Sequence, residues 1–304
     1  MIKYLKHSEI DKAKWDACIA QSSNKNIYAN SWYLDVVCPP WEALIDGDYE
    51  VVMPLTCNKK YGINYLYQPY FTQQLGVFGK EKLSNEMMNE FLNAIPSQFR
   101  LIEINLNINN SIQNKDYEIN NLPTHLLDLN QSYDSLYSNY SDNLKRNISK
   151  ANKANLLLIK DVNIDDLIRL FRTNKGKDVS NWKDKQYSTF KNLTKVIQAN
   201  ATLNNWGIQN EKGELVAAAI FPEFNNQAVF LFSGLSEEGK ASGAMPYLIN
   251  SFIKEHAGQN LVLDFEGSKD ANLARFYKSF GSIEYLYPQI KKNSLPGPMK
   301  WIKS

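Results

Sequence analysis

With 304 residues the chain is long enough for two ordinary domains, each with its own core. Hydrophobic residues make up 43% and aromatic residues 12%, which fits a globular protein. No window approaches the ~18 consecutive apolar residues of a membrane span. The net charge of +2 argues against a nucleic-acid or membrane coat, and the polar start MIKYLKHSEIDKAKWD is no secretory signal, so a cytoplasmic protein is expected.

Ile10, Ala13, Ala17 and Ala20 at helical spacing predict a helix over 9–20, and a second helix, capped by Ser31, is stopped by Pro39-Pro40. Strand-like runs follow at 41–45, 50–56 and 63–68, separated by turn signals at 46–48 and 59–62. Ser84 can cap a helix over MMNEFLNAI that Pro96 ends, before a strand at 101–106 and a polar loop at 107–116. After Leu122-Pro123 come helices at 132–139 and 141–154, a strand at 156–160, and helices at 163–173 and 184–199. Strands at 206–208, 215–221 and 228–235, the loop SEEGKASGA, a helix at 245–256, the stretch 261–281 and a strand at 283–290 complete the order.

The halves repeat. GDYEVVMPLT aligns with GELVAAAIF, and MMNEFLNAIPSQFRLIEINL with MPYLINSFIKEHAGQNLVLDF, so internal duplication is the economical explanation. They part after the last strand: LIEINL runs into a polar loop, whereas LVLDFEG runs into a helix bearing a tyrosine. Chemistry is therefore expected in the second half. Cys18, Cys38 and Cys57 have neither disulfide-framework nor zinc spacing, and His7, His125 and His256 are too scattered for a metal site or a Ser-His triad.

Within 261–281, side-chain alternation predicts that Asp264 and Glu266 share one strand face, bordering a cavity or water. Gly267 allows a turn, Asp270 and Asn272 can cap a helix, Leu273, Phe276, Tyr277 and Phe280 form its apolar stripe, and Gly281 ends it. Paired carboxylates beside a tyrosine suit proton transfer, because mutual repulsion and burial raise a carboxylate's pKa. A solvated capping turn and a core tyrosine fit the same pattern.

On the helix at 142–155, Arg146, Lys150 and Lys153 fall at i, i+4 and i+7, opposite Leu144, Ile148 and Ala151; this is a solvated face or an anion site. Gly239 and Gly243 precede a helix, so backbone N–H groups of 236–244 can hold a pyrophosphate, though an ordinary turn fits as well. Trp182, Trp206, Tyr70 and Phe71 are groove-lining or core aromatics.

These stretches resemble the GNAT acyltransferases, and more closely their two-domain FemAB/FemX-like branch with its BioF2-like acetyltransferase domains. SDNLKRNISKANKANLLL (141–158) is similar to the K-x-R-x-x-I-x-K-A helix, LDFEGS (263–268) to the DF-x-G strand end, and FYKSFG (276–281) to F-K-x-x-F-G and to the single-domain pattern Y-x-x-x-G. NIYANSWYLD and QPYFTQQLG agree more loosely. The resemblance implies an α+β protein of two tandem GNAT folds, each a mixed sheet flanked by helices: a degenerate domain at 1–123 and an active one at 124–304.

It also implies transfer of an acyl group to a primary amine, with Tyr277 as the acid for the departing thiolate, Glu266 with Asp264 as base, and backbone N–H groups near Ser233 and Gly234 polarising the carbonyl. Lys240, Ser242, Gly243 and Ala244 would hold acyl-CoA, although the signature Q/R-x-x-G-x-G/A is met only partly, with Lys240 for Gln/Arg and Met245 for the final small residue. Arg146, Lys150 and Lys278 would face a phosphorylated acceptor. No metal is expected. A small-molecule or peptidoglycan-precursor amine is the expected acceptor; an aminoacyl-tRNA-dependent transferase and a non-catalytic ligand-binding module are the alternatives.

Overall fold

A computed structural model describes residues 1–174, 176, 182–267 and 270–297. The chain divides into one unit of Met1–Pro123 with the chain from Tyr285 onward, and a second of Thr124–Glu284. Among the described residues, no helix is long and apolar enough to cross a membrane.

The first unit runs β1 (Lys3–Leu5), α1 (Lys12–Gln21), α2 (Ser31–Val37), β2 (Glu42–Asp46), β3 (Val51–Leu55), β4 (Cys57–Lys60), β5 (Ile63–Tyr67), β6 (Phe78–Gly79), α3 (Asn85–Asn93) and β7 (Phe99–Asn105). β1, β2, β3 and β6 form an antiparallel sheet in that order, while β4 pairs β5, and β5 pairs β7 in parallel through the α3 crossover. Ser84 caps α3 by accepting the Met87 N–H at 3.2 Å, and Met88, Phe91 and Leu92 join Leu66, Ile102 and Ile104 in the core. Ser31 does not act as a cap: its N–H and hydroxyl both donate to Asp16, and Asn30 takes the capping position.

The second unit follows with β8 (Glu118–Asp128), which begins before the division, then α4 (Tyr133–Ser138), α5 (Asp142–Lys153), β9 (Leu157–Ile159), α6 (Ile164–Thr173), α7 (Asp184–Asn200), β10 (Thr202–Gln209), β11 (Leu215–Phe224), β12 (Gln227–Val229), β13 (Phe232–Leu235), α8 (Glu237–Ser242), α9 (Ala244–His256), β14 (Val262–Asp264) and α10 (Ala271–Lys278). Its sheet runs β8-β14-β12-β11-β10-β9, with β13 also on β11. Trp206, Phe221, Phe252, Leu263, Phe265 and Phe280 lie in its core. The last strand, β15 (Ile283–Asn293), leaves this unit and pairs antiparallel with β7 from Gln289 to Asn293. That ladder is why the expected 124–304 domain is wrong at its end: the chain from Tyr285 groups with the first unit.

β12 and β13 are one run interrupted by a bulge. Ala228 stands opposite Glu223, but Phe232 stands opposite Ile220, so the run carries one extra residue, and the Leu231 N–H also reaches the Ile220 carbonyl. Before the bulge the run pairs with β14 in parallel; after it, among the described residues, β13 pairs with β11 alone. The strands thus part at Asp264.

The first unit repeats this division, with β5 on β7 and β6 on β3, but fills it. Leu75 bridges Leu106, the Asn110 carboxamide accepts the Val77 N–H at 2.9 Å and donates to the Val77 carbonyl at 3.0 Å, and Asn107 donates to the Leu75 carbonyl. Side-chain amides here do what a neighbouring strand would do, and they satisfy the backbone that would otherwise be open.

Candidate active site

Asp264 ends β14 and is 2% exposed. Its Oδ1 accepts the Thr124 hydroxyl at 2.9 Å and the Glu266 N–H at 2.8 Å. Glu266 has a left-handed φ of +55°, so the expected alternation breaks after Phe265, and Asp264 and Glu266 do not lie on one continuous strand face open to water. Asp264 is enclosed and Glu266 is half-buried. Burial pushes the Asp264 carboxyl up to about 6, against the opposing pull of its two hydrogen bonds. Ser268 and Lys269, in the turn that follows, lie outside the described residues.

Asp270 caps α10 by accepting the N–H groups of Asn272 and Leu273. The predicted stripe is the packed face: Phe280 and Tyr277 are buried, Leu273 and Phe276 half-buried. Tyr277 is 6% exposed, stacks on Phe265 (5.1 Å between ring centres, 27° between planes), and also meets His125 and Phe230. Burial first, then the Glu266 and Asp264 charges, raise its hydroxyl above the ordinary tyrosine range and keep it a proton donor. Lys278 is exposed and pairs with Glu284 at 2.8 Å.

His125, absent from the sequence-based candidates, is the group they missed. It is completely buried, neither ring nitrogen has a hydrogen bond among the described residues, and Nε2 lies 3.5 Å from Glu284 Oε2. Its carbonyl accepts the Phe265 N–H at 2.9 Å, which places it across the strand pair from the ring that supports Tyr277. A single histidine two residues beyond a proline carries no signal of this setting.

The Ser236 N–H donates to the Val216 carbonyl at 2.9 Å, and Gly234 stands opposite Ala218. Alternation along an antiparallel strand then turns the Gly234 N–H toward β11 and those of Ser233 and Leu235 toward the other edge. Of the two expected carbonyl-polarising residues, Ser233 has the usable orientation and Gly234 does not. Gly234 instead admits α6: a Cβ there would sit 3.0 Å from the Phe171 nitrogen.

Residues 236–244 are not the expected loop. Residues 237–242 form α8, whose first turn is closed by the Ser236 hydroxyl accepting the Gly239 N–H and the Ser236 carbonyl accepting the Lys240 N–H. The Gly239 and Lys240 N–H groups are therefore engaged within α8. Lys240 is exposed, Ser242 half-buried, and Gly243 and Ala244 buried. Gly243, at φ +78°, brings α9 against α5, where a Cβ would lie 2.5 Å from the Asn147 carbonyl oxygen. Arg146 and Lys150 are on the exposed face of α5, opposite buried Leu144, Ile148 and Ala151. Trp206 is a core residue at 2% exposure, Trp182 stacks on Phe232 of β13, and Tyr70 is exposed beside Phe71.

No protein-family model matches the sequence, and no curated protein matches it. Solved structures do. FemX is similar with a TM-score of 0.66 at 13% identity, over 94% of this chain and 96% of its own. A conserved protein of unknown function from Bacteroides thetaiotaomicron reaches 0.62 at 10% identity, over 96% and 99%. A tandem GNAT protein from the clavulanic acid biosynthesis pathway reaches 0.55 at 10% identity, over 98% and 100%. The likeness spans nearly the whole of each chain: this protein has the mixed α+β, tandem GNAT fold of the FemX type that its motifs lead one to expect.

Proposed function

We propose that the chain is an N-acyltransferase moving an acyl group from acyl-CoA to a primary amine, with its chemistry in Thr124–Glu284. The observation that carries this reading is the parting of β13 from β14 after Asp264, which leaves the Ser233 N–H turned to an edge away from β11, while the enclosed Asp264 carboxyl ends β14 and its charge reaches the buried Tyr277 hydroxyl. The first unit, where carboxamides occupy the equivalent division, lacks that edge.

The Ser233 N–H polarises the acyl carbonyl and stabilises the oxyanion formed on attack. Asp264, titrating near neutrality, and Glu266 take protons from the ammonium, and Tyr277 protonates the departing thiolate. The amine attacks the carbonyl carbon directly: the C–N bond forms as the oxyanion does, and collapse of the oxyanion breaks the C–S bond, with no covalent enzyme intermediate. Lys240 and Ser242 face the phosphates of coenzyme A, Gly243 and Ala244 contribute backbone only, and Arg146, Lys150 and Lys278 attract the anionic part of the acceptor. Use of acyl-CoA assigns the reaction to the cytoplasm.

The likeness to FemX and the exposed basic face of α5 favour a second reading, in which the donor is an aminoacyl-tRNA and the acceptor a peptidoglycan precursor. Thermal unfolding separates the two. A ligand at a hundred times its dissociation constant adds about 2.7 kcal/mol, several degrees for a chain of this size. A rise with acetyl-CoA and none with charged tRNA is expected. A rise with charged tRNA alone would replace the proposal by the second reading, and no rise with either would leave a non-catalytic ligand-binding module.

A further inference from the structure

The stretch 61–79, YGINYLYQPYFTQQLGVFG, carries six aromatic rings, four carboxamides and no charged residue, and the acyl transfer proposed above makes no use of it. Its middle is fixed. Pro69 sets the backbone at one position, and each carbonyl from Phe71 to Leu75 accepts a hydrogen bond from an uncharged side chain, those of Tyr33, Gln68, Asn105, Asn26 and Asn107 in turn. The Asn105 N–H also donates to the Gln68 carboxamide at 2.9 Å, so that donor is itself held. At Phe71 the backbone is left-handed, with φ +62°, a conformation that strains a bulky residue and not a glycine. The rings so held are Tyr70, 43% exposed, and half-buried Phe71; their centres are 6.4 Å apart and their planes are inclined at 50°.

A strained backbone that is held on every side, next to an exposed ring, marks a place kept for contact rather than for the core. The chemistry of the stretch selects the ligand. The face of an aromatic ring is electron-rich and attracts weakly positive C–H groups. A pyranose with equatorial hydroxyls presents axial C–H groups on its faces and hydroxyls around its rim, and tyrosine hydroxyls and carboxamides, which both donate and accept, match that rim. A charged ligand such as a nucleotide calls for opposite charges to meet its phosphates, and 61–79 has none.

We propose that Tyr70 and Phe71 form a stacking platform for the pyranose ring of an uncharged glycan. The platform belongs to the first unit and is independent of the acyltransferase reading, which concerns Thr124–Glu284. A sugar ring settling on side chains whose backbone is already fixed orders little more of the protein, so the weak attraction of C–H groups for ring faces is not spent on organising the loop. Carboxamides that fill the division between the strands of this unit thus have a second consequence. They hold the rings in place.

Saturation-transfer NMR on the full-length protein, with cellotriose and with triacetylchitotriose as the added sugars, tests the platform. The two share the all-equatorial ring and differ in the acetamido group. Transfer from the protein to the ring C–H protons is expected with at least one of them, and the affinity is expected to fall about tenfold in Tyr70→Ala. Tyr285→Ala removes a tyrosine of equal exposure, 43%, elsewhere in the first unit and is expected to leave binding unchanged. Tyr70 is at the surface, so its variant is expected to keep the urea midpoint of the natural protein; Phe71→Gly, which removes the second ring and the backbone strain together, is expected to weaken binding as well. Transfer to neither sugar, transfer undiminished in Tyr70→Ala, or an equal loss in Tyr285→Ala would overturn the platform. None of these outcomes bears on acyl transfer.

Discussion

Tyr277→Phe is expected to lower kcat at least a hundredfold while KM for the thioester changes little. The hydroxyl is asked to act only when negative charge develops on the leaving sulfur, so its removal raises the barrier without weakening ground-state binding. The substitution keeps the ring that stacks on Phe265 in the core it shares with Phe280, so far-ultraviolet circular dichroism and the urea midpoint should change little. An unchanged rate in a folded variant would remove Tyr277 from the mechanism and return it to the role of a core tyrosine.

The second large effect pairs stability with activity. The Asp264 carboxyl titrates near 6 in the folded chain against an ordinary 3.8, because burial disfavours its charge. Between those two values the folded chain holds more protons than the unfolded one, so stability falls as pH rises through the window. Above about pH 6 the full cost of the buried charge is present, on the order of 3 kcal/mol. Asp264→Asn removes that cost and keeps an oxygen for the Thr124 hydroxyl and the Glu266 N–H. The urea midpoint of the variant should therefore rise at pH 8 and stay near that of the natural protein at pH 3.5, while the transfer rate collapses. A variant destabilised equally at both values would show that the carboxylate is held by its partners rather than strained by burial. A gain in stability with loss of rate is the usual mark of a group retained for chemistry.

Much of the site's scaffold was legible in the residues. Asp270, the spacing of Leu273, Phe276, Tyr277 and Phe280, and Gly281 at φ +80° specify α10 by local rules of capping, periodicity and termination, and the structure follows them. α5 is equally local, with buried Leu144, Ile148 and Ala151 one helix face away from Arg146 and Lys150. The duplication was visible because β5-α3-β7 and β12-α9-β14 are the same parallel crossover with the same hydrophobic pattern.

What escaped the sequence depended on contacts or backbone states it does not encode locally. β8 went unread because Pro123 and the polar Asn120 and Asn121 look like a boundary, although the strand runs through them to Asp128 and pairs with β14 over its last residues, Leu126 to Asp128. α8 looked like a glycine-rich loop, and it is the Ser236 cap and packing of buried Gly239 against β11 that make it a helix. The shared face of Asp264 and Glu266 assumed that a strand continues, whereas the left-handed turn at Glu266 ends it. His125 acquires meaning only from Tyr277 and Glu284, which are far away in the chain.

The central claim is that the edge of β13, where the second unit's strands part, receives the acyl donor. Hydrogen–deuterium exchange with and without a saturating non-hydrolysable acetyl-CoA analogue tests it most directly, since a ligand amide paired to that edge slows exchange at the residues it engages. The account predicts added protection at Ser233 and Leu235 and in α8, with none at 63–79 of the first unit. Protection confined to 63–79, or none anywhere at a saturating concentration, would contradict it.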